Sequence, residues 1–486
     1  MSSVRSLSRA TRSIGEVARA TEPQRRRLSI RAAERWSAPR REWSICSPPR
    51  ITSTPTIQKG RQIRLQSSSA LPAPRFHTDE EPGKTALHDL HVQHGGKMVA
   101  FGGYSMPVQY GDLSITNSHL WTRDKCSLFD VGHMVQYHVD GPGAGAFLES
   151  VTPSGLRDLP AGQGTLSALL HPQTGGIVDD CMITRLEGGP RHLFYLVTNA
   201  GNRKKDYDHL SAALAAWGES GQPPAYMRHI EADGQPFGLV ALQGPLAAEI
   251  LQSALSPACK VDFSTWYFGH TKHITLSLPS HGESLPVVAA RGGYTGEDGF
   301  ELSIHPSQTV EATSHLLELA GPDRLRLAGL GARDSLRLEA GMCLYGHDIN
   351  DSTTPVEAAL NFIIPKGRRT PDTAGFPGAE TILPQLTPVS KGGKGVSRRR
   401  IGLVVEGVPA REGAEIVDSD GKTVGVVTSG CPSPSLKKNI AMGYVADGLH
   451  KSGTQVGVVV RGKTRKAVVT KMPFVDSKYF RALSPA

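Results

Sequence analysis

The sequence predicts an α+β fold that ends in a small antiparallel β barrel or sandwich. Up to about residue 365, segments with helical spacing of apolar residues alternate with short β-rich runs, whereas residues 401–475 consist of short strands separated by turns. A stretch rich in Gly, Pro, Lys and Arg at 366–400 separates the two patterns and is predicted to be a linker. At 486 residues the chain is too long for one hydrophobic core, so we expect two or three domains.

Individual elements follow from the spacing of apolar residues. Apolar positions that recur every three or four residues predict helices at 143–150, 206–217, 246–255, 309–320 and 332–340. Pro245 is placed to be the first residue of the third helix, and Gly341 to follow the fifth as a C-cap glycine. Strands are predicted by β-rich runs at 193–198, 237–242 and 286–290, and a C-terminal hairpin by the Asp420–Gly421 pair.

The N-terminal 76 residues differ in charge from the rest of the chain. They contain 15 Arg and one Lys against four acidic residues, a net charge of +12, so the remainder carries −3 of the total of +9. The segment is rich in Ser and lacks the apolar core of a secretory signal, which is typical of a mitochondrial transit peptide. We therefore predict a disordered, cleaved leader at 1–76, with packed structure from about residue 82. The alternative is a basic arm that stays attached.

Charge and cysteine usage narrow the classes of partner. Because the chain after the leader is nearly neutral, no broad positive field remains for binding nucleic acid. No run approaches the ~20 apolar residues of a membrane-spanning helix, so no membrane partner is expected. The six cysteines contain no C-x-x-C, which disfavours a zinc ribbon or a disulfide framework and indicates reduced thiols.

Several common functional motifs are missing from the sequence. It has no P-loop, dinucleotide fingerprint, H-E-x-x-H or G-x-S-x-G. His88, His91 and His94 are spaced so that two of them could share a helical face, but we interpret them as surface or capping residues. No metal site is predicted.

Three polar motifs stand inside apolar segments. GGIVDDCMIT (175–184) places Asp179 and Asp180 side by side in a strand, where successive side chains face opposite ways, so only one can face a pocket. GYTGEDGFELSI (293–304) puts Glu301 on the strand face opposite Phe300, towards solvent or towards a polar cavity. LGARDSLRLEAGMCLYG (330–346) presents Arg333 on a helix, where surface salt bridges would explain it equally well. These patterns alone do not name a reaction.

Longer motifs, in order along the chain, resemble a known family. They are HGGKMVAFGGYSMPVQY (94–110), CSLFDVGHM (126–134), GGIVDD, LVTNAGN (196–202), ALQGP (241–245), GYTGEDGFE, GARDSLRLEAGMCLYGHDI and TSGCPSPSLKKNIAMGYV (428–445). From about residue 84 to 480 the sequence is similar to the aminomethyltransferases, the T-proteins of the glycine cleavage system.

The resemblance implies a fold, a reaction and a location. Three lobes surround a central funnel for tetrahydrofolate, two of them interleaved within 84–365 and the third formed by the β domain at 401–486. The reaction moves the one-carbon unit of an aminomethyl group, carried on the lipoyl arm of the H-protein, to tetrahydrofolate. The products are 5,10-methylenetetrahydrofolate, ammonia and the dihydrolipoyl carrier. No metal is implied, and the expected location is the mitochondrial matrix.

The resemblance also assigns roles to individual residues. Asp180 would stabilise positive charge on the transferred carbon and hold the folate N10 hydrogen. Glu301 would accept two hydrogen bonds from the pterin edge, and Arg333 would hold acidic groups or the folate in register. Tyr479 matches a tyrosine near the bound ligand, and Asn199 is a candidate pocket residue.

Other interpretations were weighed against the same residues. Iron–sulfur assembly relatives of this fold carry a KGC-Y-x-G-Q-E-type motif, whereas the corresponding segment here reads LEAGMCLYGHDI. Demethylating flavoproteins carry a flavin domain before the folate-binding part, for which the leader leaves no room. A scaffold role would leave the carboxylates and the arginine unexplained. Lys437 and Lys438 are candidates for contact with an acidic carrier protein, or simply a solvated pair.

Overall fold

The computed structural model describes residues 76–111, 113–187, 192–232 and 234–482. These residues belong to one compact unit, Ala70–Ala486. The leader predicted at 1–76 lies outside the described residues apart from Phe76. Within the described ranges, no helix is long and apolar enough to span a bilayer.

A six-stranded sheet forms the first wall of the site. Two of its strands, Cys126–Asp130 and Gly238–Gln243, are buried at every position, so their sequences show no alternation of apolar and polar residues. All neighbours are antiparallel except the last pair. In spatial order the strands are Thr271–Ile274, Val287–Arg291, Gly299–Ile304, Gly238–Gln243, Cys126–Asp130 and Leu325–Leu327. Helices Ala247–Ala254 and Thr309–Ala320 pack on one face through an apolar core that includes Phe300.

A five-stranded antiparallel sheet forms the second wall. Its strands, in spatial order, are Gln163–Leu170, Ile177–Arg185, Phe194–Thr198, Val135–Asp140 and Tyr226–His229. Helices Ala144–Val151 and Arg203–Glu219 cover its outer face. Its inner face shares a core with the six-stranded sheet and with helix Leu330–Glu339, built around Phe129, Val197 and Leu336.

Shorter elements frame the two sheets. The hairpin Gly96–Phe101 and Tyr104–Tyr110 approaches the turn after strand Phe194–Thr198, since a Cβ on Gly102 at its tip would lie 3.0 Å from Ala200. The other elements are helices His88–Gln93, Ile115–Asp124, Pro371–Ala374 and Ala379–Leu386, strand pairs Glu231–Ala232 with Gln235–Pro236 and Ser277–Leu278 with Gly282–Glu283, and the 3₁₀ turns Ala200–Asn202, Pro306–Gln308, Asn361–Ile363, Lys366–Arg368 and Val389–Lys391.

The C-terminal part is a closed six-stranded barrel, as the turn-separated strands predicted. All its strand pairs are antiparallel, and the last strand pairs with the first. Around the barrel the strands are Arg398–Val405, Lys438–Ala446, Thr423–Ser433, Glu415–Val417, Gln455–Val460 and Lys463–Thr470. Gly421 has a φ of +81° in the turn between Glu415–Val417 and Thr423–Ser433, which confirms the predicted hairpin.

The predicted helices and strands are confirmed to within a few residues, and the structure differs from the sequence-based expectations in four respects. Pro245 precedes its helix by two positions, because Leu246 is the N-cap. Packed structure begins before residue 82: His77 makes an edge contact with Tyr104, and Asp79 accepts a hydrogen bond from the Gly103 amide at 2.7 Å.

The third difference concerns the histidines of the first helix. His91 is fully buried and hydrogen-bonds to Asp130 and Tyr110, so it is a core residue rather than a surface or capping one. In the part of the chain that the structure describes, no cluster of His, Cys, Asp or Glu is arranged to hold a metal ion.

The segment expected to be a linker is folded onto the first part of the chain. Residues 371–374 and 379–386 are helical, and Phe376 and Ile382 pack in a core with Leu170 and Ile177. Gly and Pro in this segment serve its turns: Gly375 and Gly378 both have positive φ values and flank the short helices.

Candidate active site

Asp179 and Asp180 lie on the second strand of the five-stranded sheet, next to its edge strand. Asp179 is fully buried, whereas Asp180 is only partly buried. Asp180 pairs in register with Ala168, whose small side chain lies on the same face of the sheet and leaves space beside the carboxylate.

Asn199 connects the two aspartates. Its side-chain amide donates to Oδ1 of Asp179 at 3.0 Å and to Oδ1 of Asp180 at 2.9 Å. Its backbone amide donates to Oδ2 of Asp179 at 2.9 Å, and Asn202 adds a 2.6 Å bond to Oδ1. Asp179 therefore fixes the turn after strand Phe194–Thr198, and that turn orients the carboxylate of Asp180.

The surroundings of Asp180 disfavour its charged form. Burial, followed by the negative charge of Asp179, raises the pKa of Asp180 to about 7, and the hydrogen bond from Asn199 partly opposes this rise. Asp206, on helix Arg203–Glu219, is fully buried, and neither of its oxygens has a hydrogen-bond partner among the described residues. Burial and the charge of Asp179 raise the pKa of Asp206 well above its usual range, and burial also raises the pKa of Asp179, against the hydrogen bonds from Asn199 and Asn202 that lower it.

Glu301 projects from the six-stranded sheet towards the inter-sheet space. Phe300 and Leu302 point into the opposite core, as the alternation predicted. Its cross-strand neighbours are Ala241 and Ala290, both small, so the carboxylate stands over an open patch of the sheet. Within the described residues it receives no hydrogen bond, and burial raises its pKa.

Arg333 supplies positive charge to the same region. It lies in the first turn of helix Leu330–Glu339, and its guanidinium carbon is 4.7 Å from the centre of the Tyr294 ring. Its charge and that of Glu301 act on each other, yet no ion pair within 4.0 Å joins them. Nη1 is buried with no hydrogen-bond partner in the described part of the chain. Both charged groups are thus left open to a ligand.

Tyr294 contacts Arg333 and was missed as a site residue. Its hydroxyl donates to the carbonyl of Cys343. Burial raises its pKa, and the charge of Asp180 contributes to the rise. Tyr294 lies between Gly293 and Gly296 in GYTGEDGFE, a position that could have indicated it.

Tyr479 approaches the same loop from the C-terminal tail. Its ring stacks on Phe268 with centroids 4.2 Å apart, and its buried hydroxyl has no partner among the described residues. Burial raises the pKa of Tyr479 to about 12, and the charge of Arg481 and the backbone of Gly296 partly oppose this rise. The structure thus brings Asp180, Asn199, Glu301 and Arg333 around the inter-sheet space, while Tyr479 contacts the 293–298 loop beside it.

A buried polar network supports the site from below. Glu339, at the end of the Arg333 helix, accepts hydrogen bonds from Arg123, from Ser433 and from Ser435 of the barrel. Arg123 also bonds the carboxylate of Glu297 at 3.0 Å. These hydrogen bonds link helix Leu330–Glu339, the 293–298 loop and the barrel, and so fix the position of the elements that carry Arg333 and Tyr294.

The arrangement suits a reaction in which positive charge develops on the substrate, and a ligand that is planar and polar. A fixed carboxylate stabilises positive charge that develops next to it, because no reorganisation is needed at the moment of reaction. A carboxylate and a guanidinium without internal partners can each bind a planar ligand through paired hydrogen bonds.

Comparison with known proteins agrees with the fold. The family model described as "GCVT N-terminal domain" matches residues 87–368, and "Glycine cleavage T-protein C-terminal barrel domain" matches 398–476. A crystal structure of glycine cleavage system aminomethyltransferase T from Bartonella henselae superposes with a TM-score of 0.71 at 36% identity, covering 82% of this chain and 99% of that one. The fold and these matches thus define a transferase of the glycine cleavage T-protein type.

Curated relatives narrow this class. A probable mitochondrial aminomethyltransferase from Schizosaccharomyces pombe is 45% identical over 82% of this chain and 94% of its own length. The mitochondrial aminomethyltransferase of Homo sapiens is 44% identical over 86% of this chain and 96% of its own. The chain belongs to the T-protein family of the glycine cleavage system and is an aminomethyltransferase.

Proposed function

We propose that the enzyme transfers the one-carbon unit of an aminomethyl group, carried on the lipoyl arm of the H-protein, to tetrahydrofolate. The methylene carbon of the substrate is bonded to sulfur and to nitrogen. Its bonds to both atoms break, and bonds to N5 and N10 of the folate form. The two hydrogens lost from N5 and N10 go to the departing amine and to the sulfur, which gives ammonia, the dihydrolipoyl arm and 5,10-methylenetetrahydrofolate.

Asp180 is the catalytic residue in this proposal. Loss of the first heteroatom leaves a cationic carbon, and an adjacent carboxylate lowers the energy of that state without having to reorient. With a pKa of about 7, the same carboxylate can also hold the N10 hydrogen and release it again near neutral pH. Asn199 holds the carboxylate in place at 2.9 Å.

Glu301 and Arg333 are the proposed folate-binding residues. A pterin edge presents an N–H beside an amino group, and a carboxylate accepts both hydrogen bonds. The observation that carries the proposal is that the charges of Glu301 and Arg333 act on each other while, among the described residues, the Glu301 carboxylate receives no hydrogen bond and Nη1 of Arg333 is buried without a partner. Tyr479, whose hydroxyl is likewise unpartnered there, is proposed to contact the bound ligand beside them.

The proposal extends to domains, location and carrier contact. The relatives are named mitochondrial, and the basic leader at 1–76 supports import into the matrix. The two interleaved lobes within 84–365 are proposed to form the funnel, with 401–486 as the third lobe. Lys437 ends the turn before strand Lys438–Ala446 and Lys438 is the first residue of that strand; both are exposed and are candidates for contact with an acidic carrier.

Turnover of aminomethylated H-protein with and without tetrahydrofolate tests the reaction. Ammonia and 5,10-methylenetetrahydrofolate should form in equal amounts. Asp180→Asn keeps the shape but removes the charge, so turnover should fall on the order of 10²–10³-fold. The exposed Asp158 supplies the matched control, Asp158→Asn, which should leave turnover unchanged. Full activity of Asp180→Asn would exclude Asp180 as the catalytic residue.

A further inference from the structure

The loop that carries Tyr294 is held from two sides. On its inner side, Arg123 donates to the Thr295 carbonyl at 2.7 Å and Gln243 donates to the Gly292 carbonyl at 2.9 Å. On its outer side, the contacts come from the C-terminal tail, residues 474–481. The tail is therefore in a position to control how firmly the loop is held.

Hydrogen bonds and charge fasten the tail to the loop. The Lys478 amide donates to the Gly296 carbonyl at 2.7 Å, and Nζ of Lys478 lies 3.2 Å from Oε1 of Glu297. Glu297 is 1% exposed, and its second oxygen has no partner among the described residues. Lys478 thus supplies a second positive charge, beside that of Arg123, to a buried carboxylate.

Aromatic contacts continue the attachment beyond Lys478. Phe480 stacks on Tyr267 with an interplanar angle of 15°, and the Arg291 guanidinium carbon lies 4.2 Å from the centre of its ring. Arg291 in turn pairs with Asp298 of the loop at 2.5 Å. The carbonyl of Phe480 accepts a hydrogen bond from the Phe268 amide at 2.7 Å. Both ends of the loop are thereby connected to the tail.

We propose that residues 474–481 form a strap that keeps Tyr294 against Arg333, with Lys478 as a positioning residue. Lys478 acts on Tyr294 through its contacts with Glu297 and Gly296. When the strap is released, the inner contacts still hold the fold of the loop, but its outer residues gain freedom, so the contact between Tyr294 and Arg333 relaxes. The effect of the strap on catalysis rests on the proposed function, whereas its effect on loop mobility does not.

Hydrogen exchange on the full chain without substrate tests the strap directly. Lys478→Met should raise amide exchange across 294–298 by roughly three- to tenfold, with strand Gly299–Ile304 unchanged. Lys471 is exposed and makes no ion pair in the described residues, so Lys471→Met is the matched control and should leave the loop unchanged. Lys478→Arg should restore slow exchange. Unchanged exchange in Lys478→Met would overturn the proposal.

A double variant and kinetics complete the test. Phe480→Ala removes the stacking contact. If the strap acts as one unit, amide exchange across 294–298 should be only slightly faster in the double variant, Lys478→Met with Phe480→Ala, than in either single variant. Aminomethyl transfer should lose roughly three- to tenfold in kcat, more than any change in the KM for folate, at an unchanged melting temperature. Additive effects of the two substitutions, or a loss confined to melting temperature, would contradict a positioning strap. Altered exchange in a chain whose wild type makes no methylenetetrahydrofolate would refute the reaction and leave the strap standing.

Discussion

The ionisation of Asp180 sets a pH dependence of turnover whose midpoint neighbouring substitutions should shift in either direction. Only the carboxylate stabilises a cation, so kcat of the wild-type enzyme should fall as the pH drops through about 7, the pKa that burial and Asp179 give Asp180. A single group with this pKa leaves roughly a tenth of the plateau rate at about pH 6. The profile should be flat above about pH 8.

Two substitutions should move this midpoint in opposite directions. Asn199→Ala removes the 2.9 Å hydrogen bond that favours the charged form, so the midpoint should rise. Asp179→Asn removes the adjacent negative charge, so the midpoint should fall. A hydrogen bond to a charged group is worth about 1.5–3 kcal/mol, so the shift for Asn199→Ala should be about one to two pH units.

Single-turnover release of ammonia from aminomethylated H-protein, followed from about pH 5 to 9, measures the midpoint. Because Asp179 accepts three hydrogen bonds, melting curves at each pH must show that the Asp179→Asn variant is folded over the range used. If the Asp179→Asn variant is not folded over this range, the Asn199→Ala variant still tests the direction of the midpoint shift. Shifts in the same direction for both variants, or a midpoint that neither moves, would show that the titrating group is not Asp180.

Two further outcomes follow from the same site. Glu301→Gln replaces one acceptor oxygen by a donor opposite the pterin edge, at a cost of about 1–3 kcal/mol; calorimetry should show folate affinity lowered roughly ten- to a hundredfold, and unchanged affinity would place Glu301 outside the folate site. Asp180 has a folded-state pKa above its unfolded value, so the unfolded state gives up its proton first and stability falls as pH rises from about 4 to 7. The melting temperature of Asp180→Asn should therefore exceed that of wild type by an amount that grows from about pH 4 to 7 and is constant above pH 7. A lower melting temperature of the variant at pH 8 would show that the charged form of Asp180 does not destabilise the fold.

Local sequence signals predicted most helices and strands well, because the residues that carry these signals also determine where each element begins and ends. Helix 309–320 has the bounds that its apolar spacing predicted, and Gly341 follows its helix with a φ of +69°. Pro245 was misplaced because the N-cap position depends on where the chain turns from the preceding strand, which propensity does not specify. The helices within 366–400 were not predicted, since Phe376 and Ile382 are stabilised by a core from distant segments.

The site could be predicted only as separate motifs. Strand alternation separated Asp179 from Asp180 and Glu301 from Phe300. It could not show that Asn199 reaches both aspartates, because that depends on the turn after a different strand. The space beside Glu301 arises from Ala241 and Ala290 on neighbouring strands, and only the register brings these small residues beside it.

The network around Glu339 has a consequence for the order in which the chain can fold during synthesis. The partners of Glu339 in the barrel, Ser433 and Ser435, follow it by 94 and 96 residues, and Arg337 bonds Ser429, 92 residues later. The side chains of Glu339 and Arg337 are both buried, at 3% exposure or less. Until the barrel strand has left the ribosome, helix Leu330–Glu339 would bury an incompletely paired carboxylate and guanidinium, which costs several kcal/mol. The region that carries Asp180 and Glu301 is therefore expected to reach its final packing only after nearly the whole chain has been made.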